Sequence, residues 1–197
     1  MSFAAPDKGA LAAPPAGGLL RLSVIGLTGA GKSTFASIVE DLAAERGLSH
    51  SRLKLARPLY DLQALVYETA GAPLRPGDQD QILMEALAES LRRIRPRSLI
   101  DPFLAGLAAT NADVVINDDL RDPHLDAVIL RQHRFRIVHV RATPQVRASR
   151  LAARSDLTRS ERSTGELSLI TPDAVIDNNG DLASYTAAAR RLIGEWL

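Results

Sequence analysis

The 197-residue chain contains no cysteine, which excludes disulfides, thiolate nucleophiles and cysteine-held zinc. Aromatic side chains are scarce, at 4%, and nothing in their spacing offers a stacking platform for nucleic acid. An excess of one charge is missing too. The 24 Lys and Arg stand against 23 Asp and Glu, a net charge of +1, without the basic surplus that marks general nucleic-acid binding. No apolar run approaches the ~20 residues that cross a bilayer, so no membrane partner is expected. The four histidines, His50, His124, His133 and His139, have no metal-ligand spacing and read as structural or solvated side chains.

What is present is 46% apolar residues, enough for the core of one α/β domain at this length. Residues 1–18 are rich in Ala, Pro and Gly and lack the continuous apolar segment of a signal peptide. They are expected to be a disordered tail before a single domain over 19–197, and the cytoplasm is the expected compartment.

Buried-type strands are expected at 20–26, 52–56, 113–117, 135–140 and 174–176. Helices are expected at 33–46, 58–69, 78–94, 122–133, 144–154 and 182–197. A further helix starts from Asp101 as N-cap with Pro102 at its first position and runs to about 111. Strands alternating with helices predict an α/β three-layer sandwich with a parallel, five-stranded sheet. Right-handed crossovers would put the ligand at the C-terminal ends of the strands.

The segment Gly26-Leu27-Thr28-Gly29-Ala30-Gly31-Lys32-Ser33 follows the first strand and opens the first helix. This is the strand, glycine-rich turn and helix context of a phosphate-binding P-loop. Glycines let the backbone N–H groups of Gly29, Ala30 and Gly31 approach phosphate oxygens, aided by the positive helix end. Lys32 brings a charge to the β- and γ-phosphates, Ser33 places a hydroxyl for Mg2+, and Thr34 supports the adjacent phosphate.

Beyond the loop, three segments resemble the nucleoside monophosphate kinases, especially the deoxynucleoside monophosphate kinases of bacteria and phages. Lys54-Leu55-Ala56-Arg57-Pro58-Leu59 is similar to that family's SFA-x-PL segment. The stretch VVINDDLR over 114–121 is similar to VVI-x-DVR, and DAVIDNNG over 173–180 is similar to its D-x-VI-x-N-x-G strand and loop beside the adenine. The opening IGLTGAGKST also resembles dephospho-coenzyme A kinase. The family's Ser-Phe pair is Lys54-Leu55 here, and Asp122 replaces the Phe after DVR, so the acceptor pocket is expected to differ.

The resemblance implies a helical substrate-binding region and a lid, over about 147–171. It implies that Asn178 and Asn179 lie beside the adenine, and that Asp119 is the catalytic and metal-holding carboxylate, acting directly or through water. Asp118, Arg121, Arg57 and Arg93 are then substrate-binding candidates. An Arg at position 57 suits a monophosphate because its guanidinium forks onto two oxygens. One of Arg92, Arg93 and Arg95 is expected at the acceptor phosphate; the ordinary alternative is favourable interaction with the helix C-terminus. Arg147, Arg150 and Arg154 recur at spacings of three and four and so share a helix face. Arg147 is expected at the donor nucleotide, with Arg121, Arg150 and Arg154 stabilising the moving phosphoryl group beside Lys32.

The expected reaction is transfer of the ATP γ-phosphoryl group to a (deoxy)nucleoside monophosphate or a modified analogue, with ATP and Mg2+. The expected partners are nucleotides, with homodimerisation left open. Two alternatives stand: a dephospho-coenzyme A kinase-like enzyme whose hydroxyl acceptor needs a base such as Asp119, and a nucleotide-binding regulator without turnover. No TKxD or NKxD guanine signature and no water-activating Glu after the 113–119 strand supports a GTPase or a dedicated ATPase.

Overall fold

The computed structural model describes residues 19–75, 77–152, 157–158 and 165–197. Five strands, β1 (Leu20–Ile25), β2 (His50–Arg52), β3 (Val114–Asn117), β4 (Arg136–Arg141) and β5 (Ala174–Asp177), form one parallel sheet in the order β2-β3-β1-β4-β5. All six residues of β1 are buried. Its two polar residues are satisfied inside: Arg21 donates to His133 O and Ser23 Oγ to Asn117 Oδ1, which lets a strand covered on both faces carry them.

The helices are α1 (Lys32–Glu45), α2 (Arg57–Thr69), α3 (Gln81–Ile94), α4 (Ile100–Ala109), α5 (Asp126–Gln132), α6 (Pro144–Ala152) and α7 (Leu182–Gly194). One face of the sheet packs on α1 and α7 through Phe35, Val39, Tyr185 and Ile193. The other packs on α4 and α5 through Ile100, Phe103, Leu130 and Phe135. The chain therefore has the three-layer sandwich its periodicity predicts. From β1 the chain crosses outward to edge strand β2, returns through β3, and later lays β4 on the opposite side of β1. The C-terminal end of β1 is thus the topological switch point where α/β sheets bind ligands.

Several boundaries differ from the sequence reading. β2 ends at Arg52, earlier than expected, because the chain then bends: Leu53 N–H still reaches Ile116 O, but the N–H groups of Leu55 and Ala56 turn onto Asp119. Asp101 is not the N-cap of α4. It lies in the first turn, where its carboxylate pairs with Arg95 and Arg97, and Leu99 holds the cap position without a side-chain cap. α5 starts four residues late because Asp122 accepts the N–H groups of His124 and Leu125 and closes a turn first. Within the polar run 155–171, a 3-10 turn at Leu167–Leu169 buries Leu167, with Ile170 beside it, against the second core. Among the described residues no helix is long and apolar enough to cross a membrane.

Candidate active site

The P-loop joins β1 to α1, and its glycines are demanded by what packs against them. Gly26, Gly29 and Gly31 all have positive φ, at 149°, 82° and 105°. A Cβ on Gly26 would stand 2.3 Å from Val140 O, and one on Gly31 would stand 2.2 Å from Asn178 Nδ2. The loop lies against Val140 near the end of β4 and against Asn178, which follows β5, so close approach and conformation act together.

Neighbouring chain segments hold the loop's carbonyls. Asn178 Nδ2 donates to Ala30 O at 2.9 Å, Tyr185 Oη to Gly31 O at 3.1 Å, and Arg147 Nη1 to Thr28 O at 3.1 Å. Arg150 reaches Gly29 O and Ala30 O at 3.5 and 3.4 Å, and Asn178 Oδ1 at 3.0 Å. Ala30 N–H donates within the loop to Leu27 O at 3.1 Å; with the carbonyls held from outside, the N–H groups of Gly29 and Gly31 are left to face an anion. Lys32 Nζ folds back onto Gly26 O (2.8 Å) and Leu27 O (3.2 Å). Ser33 and Thr34 are exposed at the start of α1.

A cleft of about 720 Å3 opens between α2, α3 and the segment after β3, a size that suits a small molecule. Asp119 and Arg121 line it from the β3 side. Asp119 is anchored: its Oδ1 accepts from Leu55 N at 3.0 Å and from Asn117 Nδ2, and its Oδ2 from Ala56 N at 3.0 Å. Burial raises its pKa, and the Ala56 N–H, Lys54 and the Leu55 N–H only partly oppose this. Arg121 stands 3.9 Å from Glu85 across the cleft.

Asp118, expected at the substrate, is corrected by its burial. Its side chain has no exposed surface; it pairs with Lys54 and lies 3.7 Å from Arg52 Nη1. Arg52 is itself bound to Glu40 of α1. Asp118 therefore ties β3 to the ends of β2 and α1. Arg57, expected at the acceptor phosphate, projects outward with a largely exposed side chain and pairs with Asp61 one turn on. Arg93 is exposed, and its neighbour Arg92 enters the cleft instead, forked across Asp122 at 2.8 Å and Asp126 at 2.5 Å. Asn179 accepts from Thr143 N at 2.7 Å and braces the start of α6. Arg154 lies outside the described residues.

The structure thus gathers Arg147, Arg150 and Asn178 around the loop, and Asp119 and Arg121 in the cleft. The sequence reading missed Tyr185, which sits 154 positions from its partner. It noted Lys54 only as a departure from a motif. A second group it missed centres on Asp80, the N-cap of α3. Asp80 accepts from Leu83 N, from Tyr67 Oη at 2.7 Å and from Thr158 Oγ1, so the 157–158 segment is fastened to the helices flanking the cleft.

Among the described residues no group of three or more His, Asp or Glu side chains forms a metal cage. The donors that fit Mg2+ are the exposed Ser33 hydroxyl and Asp119. Three N–H donors already occupy Asp119, which suits it to a metal-bound water better than to the ion itself.

No protein-family model matches the sequence, and no curated protein matches it. Solved structures do match in fold. A shikimate kinase from Bacteroides thetaiotaomicron aligns with a TM-score of 0.53 and 14% identity over 89% of this chain and 97% of its own. A shikimate kinase from Acinetobacter baumannii in complex with shikimate gives 0.53 and 15% over 89% and 92%. The APS kinase CysC from Mycobacterium tuberculosis, in complex with AMPPNP and APS, gives 0.45 and 17% over 89% and 96%. The likeness is one of fold: the chain has the three-layer P-loop NTPase architecture found in P-loop kinases.

Proposed function

We propose that the chain is a small-molecule kinase that transfers the γ-phosphoryl group of ATP to a nucleoside monophosphate, or a modified analogue, held in the cleft between α2 and α3. The observation that carries this reading is the common edge of the two sites. β1, which leads into the P-loop, and β3, which leads into Asp119 and Arg121, are paired neighbours, so a donor on the loop and an acceptor in the cleft meet at one end of the sheet.

Each group then has a physical task. The loop N–H groups hold the donor phosphates, and Lys32 leaves its carbonyl partners to neutralise charge on the transferred group. Ser33, with Asp119 through a bound water, would hold Mg2+, which would supply charge neutralisation at the donor phosphates. Arg147 and Arg150 keep the loop in shape, and Arg150, with Arg154 from the lid, stabilises the moving phosphoryl group. Arg121 takes the acceptor phosphate. A phosphate acceptor is already an oxyanion, so positioning and charge neutralisation suffice and no strong base is needed.

A hydroxyl acceptor is the second reading. Asp119 favours it, as an anchored carboxylate in the cleft with a raised proton affinity, and so do the shikimate kinases that share the fold. A coupled ADP-release assay over a panel of monophosphates and hydroxyl compounds separates the two. Monophosphate-dependent turnover that is lost in Lys32→Ala is the expected result. Turnover only with hydroxyl acceptors selects the second reading. ATP binding without transfer to any acceptor makes the chain a nucleotide-binding regulator.

A further inference from the structure

The cleft is built differently at its two ends, and the difference bears on what enters it. α3 turns one face to the cavity, with Met84, Glu85, Ala88, Glu89 and Arg92 recurring at helical spacing. Leu59 and Tyr60 of α2 also line it, so a planar group would meet apolar surface on both sides. The polar lining is lopsided. Among the described residues, the acidic Glu85, Glu89, Asp119, Asp122, Asp126 and Glu166 stand against the basic Arg92, Arg121 and His124.

Arg92 is spent internally on Asp122 and Asp126. Arg121 lines the cleft with Asp119 at the β3 end, 3.9 Å from Glu85, where an acceptor phosphate would reach it. The stretch of α3 between Gln81 and Arg92, with Glu85 and Glu89, offers hydrogen-bond acceptors and negative charge. An N–H donor placed there gains a charge-assisted bond. A carbonyl oxygen placed there faces another acceptor and loses its water without replacement.

Resting on the kinase reading above, we infer that Glu85 and Glu89 select an acceptor with an exocyclic amino group on a planar heterocycle, since the single ring N–H of uracil or thymine lies between two carbonyls that the same carboxylates disfavour. The substrate class is then an amino-bearing nucleobase monophosphate (cytosine, adenine or guanine type) in preference to a uracil or thymine one.

The test is equilibrium titration calorimetry of the full-length protein with CMP, AMP, GMP, UMP and TMP, with ATP titrated separately. At least one amino-bearing monophosphate should bind about tenfold or more tightly than both UMP and TMP. Glu85→Gln and Glu89→Gln, near-isosteric changes on a partly exposed helix face, should each shrink that ratio while ATP affinity stays within about twofold. Thermal melts of both variants confirm that they are folded.

UMP or TMP binding as tightly as the best amino-bearing ligand overturns the inference. So does a preference that survives both substitutions, or ATP binding with no binding of any monophosphate. Failure to bind ATP would instead sink the kinase reading, and the separate ATP titration keeps the two failures apart.

Discussion

Gly31→Ala isolates what the P-loop asks of its third glycine, because the structure supplies its own control in Gly47. Both have positive φ, 105° and 70°, but a Cβ on Gly47 would meet nothing within 4 Å. Gly47→Ala should therefore cost only the conformational penalty, about 1–2 kcal/mol. Gly31→Ala carries a similar penalty and adds a collision 2.2 Å from Asn178 Nδ2. Asn178 is buried between Ala30 O and Arg150, so it cannot swing aside without breaking both bonds. Losing the Asn178 bond leaves the buried Ala30 carbonyl with only the longer Arg150 contact, at 3.4 Å, and adds about 1–3 kcal/mol. The expected totals are about 2–5 kcal/mol for Gly31→Ala against about 1–2 for Gly47→Ala, read from urea unfolding at equal m-values. The loop displaced from Asn178 should also bind ATP at least about tenfold more weakly, while Gly47→Ala leaves ATP affinity unchanged. Equal destabilisation by the two variants, with ATP binding intact in both, would refute the packing argument and leave backbone conformation as the whole effect.

Arg150→Ala should lower kcat by roughly 30- to 1000-fold, the range for one lost contact to transition-state charge; a change confined to the apparent KM for ATP would reduce Arg150 to a brace of the loop. Asp80→Ala removes an N-cap and two hydroxyl bonds, an expected cost of about 2–3 kcal/mol at neutral pH by chemical unfolding. Burial pushes the Asp80 pKa up, but the Leu83 N–H and the Thr158 and Tyr67 hydroxyls outweigh it and hold the carboxyl below its ordinary value. The Asp80 contribution is thus present above about pH 4 and fades as pH falls through the lowered folded value, so the gap between wild type and variant should close in acid. Asp126 runs the other way: burial raises its pKa despite the Arg92 pair, so wild type should lose stability relative to Asp126→Asn as pH rises from about 4 towards neutrality. A flat difference across that range would contradict the assignment.

Local chemistry and periodicity alone determined the P-loop, the alternation of strands and helices and the parallel sheet. Each depends on residues close in sequence: glycines at fixed offsets, apolar runs that bury a central strand, one-sided apolar faces on α1 and α7. Tertiary structure decided which charged residues serve the site, since a charge is assigned by its neighbours across space. Arg57 and Arg92 are alike in sequence, each at one end of a helix beside the cleft. Only folding set Arg57 outward against Asp61 and brought Arg92 inward between Asp122 and Asp126. Asp118 and Asp119 are adjacent, yet opposite side-chain directions sent one beneath the sheet edge to Lys54 and the other into the cleft. Tyr185 and Asn178 meet the loop from about 150 residues away, because the parallel order lays β5 and α7 beside it. No local pattern carries that information. It exists only once the strands are in register.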